Sequence, residues 1–290
     1  MSQLSQAINS GKFVVTSELN PPKGTDLEPV FERAEMLKDH VDAFNITDSH
    51  AAKMSISPMA VAHLLKDRAI EPIMQMTSRD KNRIALQGDL LGAAALGIDN
   101  VVFMGGDPPK IGDHPDATGV FDLMSNELIR AASGLCRGQD LSGAELSGKP
   151  DLFLGAVVNP GASNLEAELD KMKSKIDAGA RFLQTQAIYD PRSFEKFIEA
   201  IQGIEVSILA GVILLKSAKM ARYMTENVPG IDVPEALIQE MDNAEDKQSQ
   251  SIDIAARIIN DIKPMCQGIH IMPLGWEAKI PSILDAVNAR

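Results

Sequence analysis

The chain has 290 residues, 44% of them hydrophobic and 23% charged, which is enough to bury a substantial core. With 28 Lys and Arg against 40 Asp and Glu the net charge is −12, the wrong sign for gripping a phosphate backbone, so a nucleic-acid partner is excluded. The N-terminal MSQLSQAINSGK has no basic-then-apolar leader, no apolar run reaches the roughly 18 residues of a membrane span, and Cys136 and Cys266 lack CxxC partners. A cytoplasmic protein is expected, without membrane, disulfide framework or metal.

Taken in chain order, eight apolar, β-rich runs recur: 13–19, 43–48, 71–78, 100–106, 153–159, 181–187, 206–213 and 268–274. Between them stand segments such as EPVFERAEMLKDH (28–40) and SFEKFIEAIQ (193–202), with apolar residues three or four apart on one helical face. The strand runs are continuously apolar rather than alternating, as in parallel sheets covered on both sides. Eight βα units in this length predict the α/β class and a closed (β/α)8 TIM barrel, with a doubly wound sheet as the alternative. No Pro/Ser-rich linker divides the chain, so one domain over 1–290 is expected, with an extra helical segment around 229–265. Two connections are long, 107–119 and 136–151.

In such a barrel the C-terminal strand ends meet at one rim, and the polar residues there become the site candidates: Glu18, Thr47, Gln75, Asp107, Asn159 and Gln186. Partial burial of Glu18 in TSELNPPKG would raise its pKa and suit a general acid. In NVVFMGGDPPK, Gly105 and Gly106 let a flat ligand approach the backbone, and Asp107 could accept from ring N–H donors; a simple turn ending the strand is the plainer reading. GAELSGKP (143–150) mimics a phosphate loop but has Pro150 in place of the Ser or Thr, and it precedes a strand. The five histidines, His40, His50, His63, His114 and His270, show no metal-ligand spacing, and there is no G-x-G-x-x-G fingerprint. Gly88 and Gly92 read as a close helix-on-barrel contact.

The motifs SELNPP, NITD, the block from MTSRDKNR to VVFMGGDPP, KSKIDAGARFLQTQAIYD and IHIMPLGWE occur in an order that resembles the methylenetetrahydrofolate reductase family over nearly the whole chain, most closely the forms of anaerobic and acetogenic bacteria. The resemblance implies a flavin-dependent barrel that reduces 5,10-methylenetetrahydrofolate to 5-methyltetrahydrofolate. By that resemblance Glu18 and Asp107 are catalytic: Glu18 protonates the folate, while Asp107 contacts the pterin and tunes the flavin. Gln186 holds folate or nicotinamide, Thr47 lies against the isoalloxazine, and Lys175 approaches the flavin's phosphate or ribityl chain. Gly105 stands where well-known bacterial forms have a basic residue, Gln75 and Asn159 where they have histidines, and Ala218 where an aromatic packs substrate. FAD is the implied cofactor, with FMN open as the smaller alternative. The implied electron donor is NAD(P)H or a protein, and the implied assembly a homo-oligomer or a complex with a partner subunit. Two other readings stay open: a flavin-poor folate-binding or electron-transfer subunit, and a pterin barrel passing methyl groups to a corrinoid.

Overall fold

Strands apolar on both faces need cover on both, and the chain supplies it by closing the sheet on itself. The structure, a computed structural model, describes residues 1–288; the last two residues of the expected 1–290 domain lie outside the described ones. The strands are β1 (Val14–Leu19), β2 (Ala43–Ile46), β3 (Pro72–Thr77), β4 (Asn100–Met104), β5 (Phe153–Val158), β6 (Phe182–Ala187), β7 (Ser207–Ile213) and β8 (Gly268–Met272). Each pairs in parallel with the next, and β8 pairs with β1, giving a closed eight-stranded barrel. The predicted TIM barrel is therefore the observed fold, and the doubly wound sheet is not.

Outside the strands lie α1 (Gln3–Asn9), α2 (Glu28–Leu37), α3 (Pro58–Lys66), α4 (Arg83–Ala95), α5 (Ser125–Arg137), α6 (Leu165–Ala178) and α7 (Pro191–Ala200). Then α8 (Ala218–Asn227), α9 (Glu235–Asn243) and α10 (Lys247–Ile262) stand between β7 and β8, and α11 (Ile280–Asn288) follows β8. The amphipathic stripe does the packing: α2 buries Val30, Phe31, Ala34 and Leu37, spaced as one helical face, against the outer side of the barrel. No helix among the described residues is long and apolar enough to cross a membrane.

Strand alternation sorts the interior into layers. At the N-terminal end, Val14, Ala43, Ile73, Val102, Phe182 and Leu209 form an apolar floor. Leu4 and Ile8 of α1 stopper it from below, on a helix whose first turn is capped by the Ser2 hydroxyl accepting from Ser5 N–H at 3.0 Å. One layer higher the lumen turns polar. Asn45 of β2 and Gln184 of β6 exchange two hydrogen bonds, 2.7 and 3.0 Å, across the barrel rather than along the sheet. The register sets Thr16 beside His270 at this level.

Two glycines show what packing demands. A Cβ on Gly155 would stand 2.3 Å from the Phe182 ring, which itself stacks on Phe153 at 4.9 Å between centroids. On α4, a Cβ on Gly92 would make ordinary contact with Met59 of α3 at 3.7 Å, and one on Gly88 would meet nothing within 4 Å, so neither shows the close helix-on-barrel contact expected of the pair. Gly155→Ala should therefore cost about 1–3 kcal/mol through overpacking. Gly88→Ala should be neutral or stabilising by up to about 1 kcal/mol, through lost unfolded-state entropy. Thermal unfolding of the two variants checks both, and an unchanged Gly155→Ala protein would refute the packing account.

Candidate active site

Glu18 lies at the C-terminal part of β1 with only 9% of its surface exposed. Its Oε1 accepts from Gln75 Nε2 at 3.2 Å and lies 3.6 Å from Nε2 of His270 on β8, a residue also buried. Burial pushes the Glu18 carboxyl up, but the hydrogen bond and charge of His270, with smaller help from His50 and Gln75, outweigh it and hold the group below its ordinary value. Burial alone therefore does not keep Glu18 protonated, contrary to the expectation from its strand-end position; the imidazole reverses the sign.

Donor counting then locates the proton. His270 Nδ1 is 2.9 Å from Thr16 Oγ1, and the Thr16 hydroxyl is placed to donate to the Ile269 carbonyl at 3.3 Å. The Gln184 amide Nε2, 3.4 Å from Nδ1, can only donate, so Nδ1 is the acceptor and the ring hydrogen lies on Nε2, facing Glu18 Oε1. A spacing test for metal ligands passes over His270. The period-two alternation of IHIM, which points His270 inward at the level of Thr16, is the signal that finds it.

Asp107 is held differently. Strand β4 ends at Met104, the Gly105-Gly106 pair follows, and Gly106 takes φ +86°, where a Cβ would press on Thr77 at 3.0 Å and Arg79 at 3.2 Å. This turn leaves Asp107 exposed at the same end of the barrel as Glu18; its carboxylate makes no hydrogen bond to the described residues and lies within reach of the Arg79 charge. Its backbone carbonyl accepts from the buried Arg79 guanidinium at 3.5 Å, which also donates to Ser49 O and grips Asp80 in two bonds of 2.8 and 2.7 Å. Arg79, two positions past the end of β3, is a further residue that the strand-end list does not include.

The remaining candidates divide. Thr47 is buried and donates to Asn20 Oδ1 at 2.9 Å, beside a cavity of about 280 Å³ that also includes His50 and Lys23. Gln186 turns its Oε1 to Ala187 N–H at 2.9 Å, at a register shift in β6, so its amide NH2 is left for other acceptors. Asn159 is committed to structure: its Oδ1 accepts from Gly161 N–H and its Nδ2 donates to Pro229 O. Lys175 is buried under β5, donating to Val157 O at 2.7 Å, and burial lowers its pKa. Asp48 of NITD is also absorbed structurally, accepting from Thr77 N–H and Oγ1–H, both at 2.8 Å.

Polar side chains thus occupy the mouth on β1, β2, β3 and β6, while half-buried Met104, Ile213 and Met272 end β4, β7 and β8 and half-buried Val157 stands one residue before the end of β5. The arrangement suits a flat ring with one apolar face and polar edges, next to a proton donor. A cavity of about 790 Å³ lies at the opposite end of the barrel among Met1, Asp151, Arg181 and Glu205, and shares no residue with this constellation.

Comparison with known proteins places these features in a family. A family model described as methylenetetrahydrofolate reductase matches residues 3–288. Methylenetetrahydrofolate reductase (NADH) 1 of Zea mays is 26% identical over 98% of this chain and 50% of its own length. A probable NADPH form from Caenorhabditis elegans is 22% identical over 99% and 44%. The 5,10-methylenetetrahydrofolate reductase of Pectobacterium carotovorum is 24% identical over 87% and 80%. The chain spans about half the length of the plant and animal relatives. Among solved structures, a Clostridium thermocellum protein described as binding two copies of 5-methyl-5,6,7,8-tetrahydrofolic acid shares the fold, with TM-score 0.64 and 18% identity over 99% of this chain and 98% of its own. A 2,3-dimethylmalate lyase shares it more distantly, at TM-score 0.57 and 11% identity, over 98% of this chain and 84% of its own. On the family match across nearly its whole length, the chain belongs to the methylenetetrahydrofolate reductase family.

Proposed function

We propose that this chain reduces 5,10-methylenetetrahydrofolate to 5-methyltetrahydrofolate at the mouth of its barrel, with a bound flavin as hydride source. The observation that carries the reading is the pairing of Glu18 with His270 at the same barrel end as the exposed carboxylate of Asp107, which makes no hydrogen bond to the described residues. A flavin is supported by the apolar strand ends, which would take its ring face, and by the Gly105-Gly106 backbone, where a Cβ on Gly105 would meet open space. Thr47, Gln75 and Asp107 would meet the ring's polar edges. FAD is the family's flavin, and FMN makes fewer demands on a mouth whose Asn159 and Lys175 are already bound to protein carbonyls.

When bound and reduced, the flavin supplies a hydride from N5. The bridging methylene accepts it only after its bond to N10 breaks, which leaves an electrophilic iminium at N5 of the folate. That bond breaks when N10 receives a proton, and the Glu18–His270 contact holds one. Thr16 fixes the imidazole through Nδ1, so the proton that leaves is the one on the carboxyl side. Asp107 would accept from the pterin amino group and, as a negative charge beside a bound flavin, would make hydride loss from it easier. Gln186 offers its amide NH2 to the pterin. The NADH and NADPH forms among the relatives support a nicotinamide donor, and a protein donor would meet the same exposed ring.

Rapid mixing of the purified yellow protein with NADH, NADPH or reduced ferredoxin, followed by methylenetetrahydrofolate, tests the reading: the flavin should bleach and then recolour with one methyl group formed per flavin. A colourless protein that takes up no flavin would refute it in favour of a folate-binding subunit. Glu18→Gln should keep flavin reduction by the donor and slow its reoxidation by folate about 10²–10⁴-fold; normal reoxidation would remove Glu18 from the chemistry. In His270→Gln the Glu18 titration should move to higher pH, because burial then acts with less opposition. Carbon-13 NMR of glutamate-labelled protein reads this shift, and an unmoved or lowered midpoint overturns the pairing. Asp107→Asn should weaken folate binding about tenfold, the size of one charge-assisted hydrogen bond, and raise the flavin potential; spectroelectrochemistry and folate titration check the two effects together.

A further inference from the structure

A barrel lumen can be filled by hydrocarbon alone, and one layer below the mouth this one is. Yet above that floor Asn45 of β2 and Gln184 of β6, both buried, meet from opposite walls and exchange hydrogen bonds of 2.7 and 3.0 Å. Stability does not explain the pair, because two apolar side chains of the same shape would fill the layer about as well. Its further contact is with the acid and imidazole of the mouth. Gln184 Nε2 lies 3.4 Å from Nδ1 of His270, whose Nε2 faces Glu18 Oε1 at 3.6 Å.

Two groups approach Nδ1, and they differ in kind. The Thr16 hydroxyl, 2.9 Å from Nδ1 and 3.3 Å from the Ile269 carbonyl, can give its hydrogen to the ring or accept one from it. The Gln184 amide nitrogen can only give. Asn45 holds that amide in place: turning Gln184 alone would set oxygen against oxygen and NH2 against NH2, breaking both mutual bonds. Turning the two amides together would keep those bonds but bring an oxygen to Nδ1, which would draw the ring hydrogen there and leave a bare Nε2 opposite Glu18. The Glu18 oxygen accepts from Gln75 at 3.2 Å, and as a carboxylate it is stabilised by a second donor and not by a lone pair. The array from Asn45 to Glu18 is therefore consistent with the ring hydrogen on Nε2.

We propose that Asn45 and Gln184 are positioning residues for the proton of the mouth: together they deny His270 a hydrogen on Nδ1 and keep it on Nε2, against Glu18. The inference rests on the reading of Glu18 and His270 as the proton source, and it gives two residues outside the strand-end list a part in that source. Both act through the imidazole.

Nitrogen-15 NMR of histidine-labelled holoprotein near neutral pH separates a ring nitrogen that carries hydrogen from a bare one, and His270→Gln identifies the signals of this ring by their loss. The native protein should show hydrogen on Nε2 and a bare Nδ1. Gln184→Glu places an oxygen where the amide NH2 stood, and Nδ1 should then carry a hydrogen. The paired change Asn45→Leu with Gln184→Met removes both amides and leaves neither without its partner; it should keep the native thermal stability and show hydrogen on Nδ1 in part of the molecules, with Thr16 as acceptor. A native ring with its hydrogen on Nδ1, or a bare Nδ1 in both altered proteins, overturns the assignment. Reoxidation of the reduced flavin by methylenetetrahydrofolate should slow about tenfold in Gln184→Glu, a part of what a general acid supplies. If Nδ1 gains its hydrogen and reoxidation keeps its native rate, the positioning stands and the Glu18–His270 proton source alone falls.

Discussion

One contact governs the mouth: a carboxyl and an imidazole, 3.6 Å apart, both inside a barrel lumen that is apolar one layer below. In water the two would titrate separately and matter little. Here burial opposes charge on Glu18 while His270 favours it, and the balance falls to the partner. The consequence is a proton stored in a pair rather than on an isolated acid. The polar layer behind it, Thr16, Asn45 and Gln184, keeps the imidazole from rotating and is itself satisfied by bonds that cross the lumen. Removing any member would leave a buried polar group without a partner, so the layer is both scaffold and chemistry.

The two carboxylates of the mouth are set apart by their surroundings rather than by their type. Glu18 comes from a strand, is buried, and is tied to Gln75 and His270; Asp107 follows a diglycine turn, is exposed, and has its backbone rather than its side chain anchored, through Arg79. A group that must give up a proton benefits from a defined partner, and a group that must meet a ligand's N–H benefits from making no hydrogen bond of its own. The fold produces both conditions from the same eight-fold repeat, by stopping one strand after the polar position and another before it.

Much of this was legible in the residues. Eight continuously apolar runs separated by amphipathic segments are incompatible with most alternatives to a closed parallel barrel, and all eight strands fall within those runs. The strand-end residues Glu18, Thr47, Gln75 and Asp107 do share one rim. What was not legible has physical reasons. The plug α1 has no apolar stripe long enough to announce a helix, only Leu4 and Ile8 one turn apart. His270 lies within an apolar run, where composition says core. Lys175 has the spacing of a surface lysine yet is buried, because the β5 carbonyl it bonds is invisible to a one-dimensional pattern. Gly88 and Gly92 look alike in sequence, and only the neighbouring helix tells them apart.

The stopper formed by Leu4 and Ile8 has a bearing on isotopes. With hydrocarbon packed across the floor, the inner hydroxyls, amides and imidazole lie nearer the rim than the N-terminal end. A folate occupying that rim would stand between them and the medium, so the hydrogen given to N10 would come from the stock already inside. In deuterated water the first turnover after mixing would therefore use protium from that stock.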